Sequence, residues 1–493
     1  MKPTSTLLRS IMTTRQRTYG EAIRLLNTCQ SNAATIEAIR KSGGRLGEVG
    51  IPEMIDYLRR IGYKPEDLNA LNVVHVTGTK GKGSTSAFTE RILRAHLPGK
   101  IGLYTSPHLC AVRERIRING EPLSEELFAK FFFEVWERLE ADPKTLTPVT
   151  PVFPIYFRLL TLLAFHAFLS LGVSATVLEV GIGGLYDSTN IVPKPVTTGI
   201  SSLGLDHQAV LGNTIEEIAR NKAGIYKSGV PALSVPQDQA GDVLESVARA
   251  NGASEFTVVP ILPPSIELGI RGDHQRINAS LAIGLAKSFL ATRGQTFTDL
   301  LPESFKQPLR ETKWPGRCQK AQQGQITWLL DGAHTTESLR SCGEWAWSEA
   351  RPDVLIFNCS GGRAGETLLG SLLDAGAKTS GAAGREALGK TFDTIIFCTN
   401  VTYTSGSFKG DLSSNAIDPN DLAALATQNA LCDAWLKLNP DFPADRVHAL
   451  PSIEHAVDIV KGLGEKQVLV AGSLHLVGGV MEVAGLQDHL GMA

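Results

Sequence analysis

The chain has 493 residues, of which 43% are hydrophobic and 20% are charged, a composition typical of a globular protein with two or three domains. Its net charge of −2 excludes nucleic-acid binding driven by bulk positive charge, although a small anionic substrate stays open. The seven cysteines are scattered and contain no Cys-x-x-Cys pair, which argues against a disulfide framework and a structural zinc site.

The first 18 residues are basic, and no acidic residue occurs before Glu21. This composition is typical of a mitochondrial transit peptide, and a disordered basic tail is the alternative. Met12 offers a second start that would give a cytosolic form. We therefore expect a cytoplasmic location, a mitochondrial location or both.

The most apolar stretch, residues 157–180, predicts a buried helix followed by a strand. It contains charged residues and is broken at Leu171-Gly172, so it does not provide the roughly 20 uninterrupted apolar residues of a membrane span. We expect no membrane-spanning segment.

Strand and helix patterns alternate along the chain, which predicts an α/β fold with a mostly parallel sheet. Apolar runs at 71–76, 175–180 and 197–203 each end in a turn that contains glycine. Ligands of open α/β sheets bind at the carboxyl ends of the strands. We therefore expect the functional site at these three turns.

A proline-punctuated segment, residues 302–315, precedes a second group of strands. These strands are predicted at 326–330, 354–358, 394–398 and 467–471. The pattern indicates an N-terminal domain at 19–305 and a smaller, Rossmann-like α/β domain at 306–493. The Gly/Ala-rich stretch 375–389 predicts a mobile loop.

The turn after the first apolar run reads Gly78-Thr79-Lys80-Gly81-Lys82-Gly83-Ser84, and a helix is predicted from Ser84 to Ala95. Backbone N–H groups in such a turn, together with a helix N-terminus, can cradle phosphates, and Lys82 would neutralise their charge. The spacing is shorter than the common Gly-x-x-x-x-Gly-Lys-[Ser/Thr] pattern. Taken alone, the loop indicates a bound nucleotide and leaves the chemistry open.

The loop and the blocks after it resemble the Mur ligase superfamily, and within it the folylpolyglutamate synthase and dihydrofolate synthase family. The matching blocks follow one another in order over roughly residues 75–475. They are Tyr104 to Leu109, Glu179 to Asn190, Leu205 to His207, Asn221 to Ile225, Asp273 to Ala279, Trp314 to Arg317, Asp331 to His334 and Ala471 to His475. The opening at 19–32 and the form Leu185-Tyr186-Asp187 are similar to eukaryotic folylpolyglutamate synthases.

The resemblance implies a Mur-ligase-like fold, with a phosphate-loop ATPase domain followed by the C-terminal domain. It also implies that ATP phosphorylates the γ-carboxylate of a folate and that the amine of L-glutamate attacks the acyl phosphate, which extends a polyglutamate tail. Dihydrofolate synthase, or an enzyme with both activities, is the nearest alternative. A phosphate-loop ATPase that acts as a switch or motor is an alternative of another class.

The resemblance further implies a role for individual residues. The catalytic residues would be Lys82, Lys222 and His207, the magnesium ligands would be Ser106, Glu179 and His207, and His334 would contact glutamate. Asn278 would lie by the adenine, Arg317 by phosphate and Asp331 by the ribose or base. The ATP contacts would be Gly78, Thr79, Lys80, Gly81, Lys82, Gly83, Ser84, Asn278, Arg317 and Asp331.

Lys222 matches a lysine that many relatives carry as a carbamate, which could hold a second magnesium ion, and unmodified it would bind phosphate or cap the site. ATP and Mg²⁺ are the expected cofactors, with a monovalent cation as a further candidate. Folate and L-glutamate are the expected substrates of a monomeric enzyme. One departure from the family is the run 359–363, which retains Arg363 without the preceding acidic residue.

Overall fold

The computed structural model describes residues 16–30, 45–359, 364–405, 411 and 425–490. The predicted N-terminal leader falls almost entirely outside these ranges, and so does Arg363. Within the described ranges, no helix is both long enough and apolar enough to cross a membrane.

The first unit is built on an eight-stranded sheet. Its strands are β1 (Val73–Thr77), β2 (Ile101–Tyr104), β3 (Ile116–Ile118), β4 (Glu121–Pro122), β5 (Ala175–Glu179), β6 (Thr197–Ile200), β7 (Ala232–Ser234) and β8 (Phe256–Val258). They lie in the order β4-β3-β2-β5-β1-β6-β7-β8. In this order, all neighbouring strands in the run β2-β5-β1-β6-β7-β8 pair parallel to each other. At the other end, β3 pairs antiparallel with β2, and β4 pairs antiparallel with β3. The mostly parallel sheet predicted from the sequence is confirmed.

Helices cover both faces of this sheet. They are α1 (Tyr19–Thr28), α2 (Arg45–Arg60), α3 (Lys82–His96), α4 (Glu125–Ala141), α5 (Tyr156–Leu171), α6 (Gln208–Leu211), α7 (Ile215–Ala223), α8 (Gly241–Ala250), α9 (Gln275–Ala291) and α10 (Glu303–Glu311). Side chains of α1, α2, α4 and α5 form one hydrophobic cluster, and those of α3, α9 and α10 form another. The buried helix and strand predicted within 157–180 are α5 and β5.

The second unit holds a six-stranded sheet, in the order β13-β12-β11-β14-β10-β9. Its strands are β9 (Gln319–Gln323), β10 (Ile326–Leu330), β11 (Val354–Phe357), β12 (Thr394–Cys398), β13 (Val447–Leu450) and β14 (Lys466–Ala471). Of these six strands, β9 is antiparallel to its neighbour β10, and the other neighbouring strands are parallel to each other. Its helices are α11 (Thr336–Glu349), α12 (Gly365–Ser380), α13 (Arg385–Gly389), α14 (Ala426–Leu438), α15 (Ile453–Gly462) and α16 (Leu474–Val483).

The prediction of a mobile loop at 375–389 is wrong, because α12 and α13 occupy most of this stretch. The small residues serve helix packing instead. A Cβ atom on Gly376 would lie 2.5 Å from the ring of Trp347 on α11, so glycine lets the two helices approach closely.

The predicted boundary at 305/306 falls inside α10. Phe305 and Leu309 of this helix are buried in the core of the first unit, together with side chains of α3 and α9. The chain therefore passes from one sheet to the other between α10 and β9, a segment that contains Trp314 and Arg317.

Candidate active site

The phosphate loop follows β1, at the carboxyl end of the sheet, and two glycines shape it. Gly78 and Gly81 have φ angles of +149° and +84°, which L side chains rarely adopt. A Cβ atom on Gly81 would lie 2.0 Å from Oδ1 of Asn278. Asn278, the predicted adenine contact, therefore lies directly against the loop.

The loop leads into α3 without a side chain that caps the helix. Gly81 is the N-cap residue and offers no capping hydrogen bond, whereas the N–H groups of Thr79 and Lys80 both donate to the carbonyl of Ser202, at 2.9 and 3.2 Å. The first turn of a helix has N–H groups that no intrahelical carbonyl accepts. An anion such as a phosphate can bind to them.

Two lysines converge on the loop, Lys82, which is partly buried, and Lys222, which is buried. Nζ of Lys82 and Nζ of Lys222 donate to the same acceptor, the carbonyl of Gly78, at 3.0 and 2.9 Å. Burial lowers the pKa of Lys82, and burial together with the charge of Lys82 lowers the pKa of Lys222 well below its ordinary value. Two neighbouring amines favour an anionic ligand, because it would restore the stability of both ammonium forms.

Lys80 points to a different partner, Asp206, which lies beyond the end of β6. Nζ of Lys80 is 3.1 Å from Oδ2 of Asp206. Burial acts to raise the pKa of Asp206, whereas the charges of Lys80 and His207 act to lower it. The lowering is larger, and the pKa falls to about 2. Burial lowers the pKa of His207 despite the charge of Asp206, so its ring is neutral at pH 7 and available as a ligand.

Glu179 ends β5, between β2 and β1 in the sheet, and its carboxyl group is fully buried in the cleft. Burial raises its pKa to about 7, while the charge of Lys82 and the N–H of Ser106 act in the opposite direction. That N–H donates to Oε2 of Glu179 at 3.1 Å. A buried carboxylate beside a phosphate loop is a position at which a cation would be stabilised.

The turn after β5 is held by Asp187, a residue to which the sequence analysis gave no role. Its carboxylate accepts the N–H groups of Gly181 and Ile182, and both the N–H and the hydroxyl of Thr189. The hydroxyl of Thr189 also lies 2.9 Å from Nε2 of His75 on β1. This network fixes the backbone that follows Glu179.

Arg317 lies at the end of the connecting segment, against Gly332 of the second unit, and reaches the site from that side. It lines a cavity of about 50 Å³ between the two units, together with Gly83, Ser106 and Glu179. Its charge acts on the carboxyl group of Glu179 and lowers its pKa, although less than Lys82 does. The structure thus places charged groups of both units around one cleft.

Asp331 and His334 follow β10, and their side chains bond to nearby backbone groups of the second unit. The carboxylate of Asp331 accepts the N–H groups of Cys318 and Ala333, at 2.7 and 2.8 Å. Nδ1 of His334 lies 2.8 Å from the carbonyl of Gly332. Their roles toward ribose and glutamate stay predictions.

Trp314 and Asp206 belong to matching blocks but received no role from the sequence. A Cβ atom on Gly83 would lie 3.2 Å from Nε1 of Trp314, and the guanidinium of Arg117 stacks 5.3 Å from the Trp314 ring centroid. Their partners are distant in the chain, and only the tertiary structure identifies them.

No family model matches the chain. Curated relatives do: the folylpolyglutamate synthase of Candida albicans is 44% identical over 95% of this chain and 96% of that protein. The folylpolyglutamate synthase of Neurospora crassa is 43% identical over 97% of this chain and 94% of that protein.

Solved structures have the same fold. A Mycobacterium tuberculosis folylpolyglutamate synthase complexed with ADP and AMPPCP has a TM-score of 0.69 at 22% identity, and covers 89% of this chain and 95% of its own. The Thermotoga maritima folylpolyglutamate synthase has a TM-score of 0.68 at 24% identity, covering 95% and 97%. The Escherichia coli FolC complexed with DHPP and ADP has a TM-score of 0.64 at 21% identity, covering 96% and 98%. The chain therefore belongs to the folylpolyglutamate synthase family, the ATP-dependent ligases that add glutamate to folate.

Proposed function

We propose that the cleft between the two units is the ligation site, with the triphosphate of ATP on the phosphate loop and the folate carboxylate near Glu179. One observation carries this proposal, the convergence of cations. Lys82 and Lys222 reach Gly78 from the first unit, and Arg317 acts on Glu179 from the second. Positive groups around a glycine-rich turn fit a triphosphate, and the neighbour with ADP and AMPPCP has the same fold.

The chemistry requires activation of a carboxylate, which an amine does not attack directly. A carboxylate oxygen of the folate attacks the γ-phosphorus, the bond to ADP breaks, and an acyl phosphate forms. The amine of glutamate then attacks the acyl carbon, the bond to phosphate breaks, and the amide forms with loss of a proton. Lys82 and Arg317 stabilise the charge on the phosphoryl oxygens.

We place Mg²⁺ beside Ser106, Glu179 and His207. The buried carboxylate of Glu179 is the strongest argument, because burial raises its pKa and its described hydrogen bond comes from the N–H of Ser106 rather than from a cationic side chain. The described residues contain no group of three His, Cys, Asp or Glu side chains that could hold a metal alone. Phosphate and water oxygens would complete the coordination, and the ion would neutralise phosphate charge.

For Lys222 we propose a carbamate. Its pKa, well below the ordinary value, favours the neutral amine, which adds to CO₂ with formation of an N–C bond and loss of a proton. The resulting anion would lie next to Lys82 and could help to hold a second magnesium ion. In the enzyme equilibrated with ¹³C-bicarbonate we expect a carbamate carbon signal by NMR. Lys222→Arg should lack it, and an unchanged signal in that variant would contradict the assignment.

The proposed folate substrate is tetrahydrofolate, with L-glutamate near His334 and with the enzyme acting as a monomer. The test supplies purified protein with ATP, labelled glutamate and either tetrahydrofolate or dihydropteroate. We expect incorporation with tetrahydrofolate, and Glu179→Ala should lose magnesium-dependent turnover. Incorporation with dihydropteroate alone would identify a dihydrofolate synthase. ATP hydrolysis that needs neither folate nor glutamate would favour a switch.

A further inference from the structure

The loop that carries Ser106 is held by several hydrogen bonds and runs from the site to the interface between the two units. Ser106 contacts Glu179 through its N–H group. A few residues further on, the carboxylate of Glu114 accepts the N–H groups of Leu109, Cys110 and Ala111, at 2.7–3.1 Å. A carboxylate that binds three successive N–H groups makes this part of the loop a single stiff turn.

His108, two residues after Ser106, connects this turn to Asp411 of the second unit. Nε of Arg115 donates to Nδ1 of His108 at 2.9 Å. Arginine can only donate, so Nδ1 accepts and the proton of the neutral ring is on Nε2. That Nε2–H group donates to the backbone carbonyl of Asp411 at 2.6 Å.

The side chain of Asp411 reinforces this link. Its Oδ1 accepts the hydroxyl of Tyr19 on α1 at 2.7 Å and the N–H of Val112 at 3.4 Å. Asp411 is only 7% exposed. A buried carboxylate of the second unit thus binds to α1 and to the turn after Ser106, in regions separated from it by 392 and 299 residues of sequence.

We propose that Asp411 is a positioning residue for ligation: it holds the 106–112 loop so that Ser106 stays against Glu179. The inference rests on the proposed function, in which both residues bind Mg²⁺. The buried carboxylate joins the loop to α1 through one acceptor, and its loss leaves the Tyr19 hydroxyl and the Val112 N–H without that acceptor.

The interface between the two units has further contacts that do not involve Asp411. The Sγ atom of Cys110 donates to the carbonyl of Gly478 on α16 at 3.2 Å. A Cβ atom on Gly478 would lie 2.2 Å from the carbonyl oxygen of Leu109, so the two backbones touch there. Removal of the Asp411 side chain should therefore loosen the loop near Ser106 while the two units stay docked.

The experiment measures, in the full-length enzyme, kcat and the Mg²⁺ concentration for half-maximal ligation. Asp411→Ala should raise that concentration about fivefold or more, and Tyr19→Phe should raise it less. In the double variant the effects should be non-additive, since both substitutions remove the same hydrogen bond. Asp411→Asn retains an acceptor and should stay close to wild type. If Asp411→Ala does not fold, Tyr19→Phe carries the test, because it removes the same hydrogen bond, and an unchanged Mg²⁺ response in that variant would overturn the inference.

Two controls separate the possible results. Asp393→Ala removes a half-exposed carboxylate of the second unit, paired with Lys466, and should leave the Mg²⁺ response unchanged. Ser106→Ala should raise the Mg²⁺ requirement. If Ser106→Ala has no effect, the proposed metal role fails and this inference fails with it. If Ser106→Ala responds but Asp411→Ala changes only the melting temperature, or its effects add to those of Tyr19→Phe, Asp411 is merely structural and this inference alone is overturned.

Discussion

The phosphate loop after β1 and the turn after β10 each join a strand to a helix, yet they use their N–H groups in opposite ways. In the first unit, Gly81 begins α3 without a capping side chain. In the second, Thr335 caps α11 by accepting the N–H of Ser338, and Asp331 accepts two further N–H groups of its own surroundings. The first turn is open to an external anion, and the second is satisfied by its own side chains.

Because of this difference, we expect the two turns to contribute to different properties, nucleotide binding and the stability of the fold. The first turn should contribute mainly to ATP use, because its polar groups gain their partners from the ligand. The second turn should contribute mainly to the folding of its unit, because its partners are already present. Arg317, the residue proposed to bind phosphate from the side of the second unit, lies on a different segment. Substitutions in the two turns test this division.

The largest effect is expected for Lys82→Ala. Loss of the ammonium group that we propose to bind the phosphates should lower kcat/KM by roughly 10²–10³-fold, the range found when one charge-stabilising donor is removed. The melting temperature should hold, because Lys82 and Lys222 share one carbonyl acceptor and their burial opposes the charged forms. Steady-state kinetics and thermal unfolding measure the two quantities.

Lys80→Ala is the matched control for Lys82→Ala, since it removes a lysine from the same loop. Lys80 is paired with the carboxylate of Asp206 and is partly exposed. We expect a smaller loss of kcat/KM, about tenfold. Equal losses in the two variants would show that the loop depends on its total charge rather than on the position of Lys82 beside Gly78.

The second prediction uses a pair of glycines with positive φ. Gly81→Ala adds the strain of a left-handed residue, about 1–2 kcal/mol, and brings its methyl group against Asn278. We expect the KM for ATP to rise at least tenfold. Gly324→Ala, in the β9–β10 turn, has a φ of +57° and no atom within 4 Å of the added Cβ.

Gly324→Ala should therefore lose a similar free energy of unfolding and keep the wild-type KM for ATP. Isothermal titration with AMPPCP measures nucleotide affinity, and chemical denaturation measures the free energy of unfolding. Together they distinguish backbone strain, which both variants share, from the contact with Asn278, which only Gly81→Ala disturbs. If both glycine variants changed nucleotide affinity alike, the close fit between the loop and Asn278 would not be the cause.

The third prediction concerns Asp331→Ala, which leaves the N–H groups of Cys318 and Ala333 without their acceptor. The expected loss is about 1–3 kcal/mol of unfolding free energy. Asp353→Ala, elsewhere in the second unit, removes a single contact with the N–H of Gln467 and should cost less. Denaturation curves provide the comparison. A large change in KM for ATP without loss of stability in Asp331→Ala would instead support its predicted role at the ribose.

The local sequence predicted the central strands well because their apolar runs are buried on both faces. β10 and β12 were predicted with the bounds that the structure shows. β9 was missed, because this edge strand, Gln319–Gln323, is polar except for the buried Ala321. Edge strands carry little of the hydrophobic pattern on which such a prediction depends.

The candidate site was predictable where its residues are contiguous, as in Gly78 to Ser84, and where ordered blocks resembled a family. The partnership of Lys80 with Asp206 and of Ser106 with Glu179 joins residues 126 and 73 positions apart. No local pattern encodes such pairs. They arise because parallel strands bring their carboxyl ends to one edge of the sheet.

The last prediction concerns Glu90, on the helix that follows the phosphate loop. Burial raises its pKa to about 7 against the charges of Arg94 and Arg91. Between its ordinary pKa of 4.5 and about 7, the folded protein keeps a proton that the unfolded chain has lost, so stability should fall as pH rises through this window. One pKa unit is worth about 1.4 kcal/mol, so over the window from 4.5 to about 7 the decrease should not exceed about 3.5 kcal/mol.

Glu90→Gln should remove that part of the pH dependence when unfolding free energies are measured between pH 4.5 and pH 8 without ligands. The slope should become shallower and not vanish, because burial also raises the pKa of Glu179 to about 7. Equal slopes in Glu90→Gln and the wild type would mean that Glu90 titrates near its ordinary value in the folded protein. Glu90 would then be ionised at neutral pH, and its carboxylate would be a buried charge on α3, held by its ion pair with Arg94.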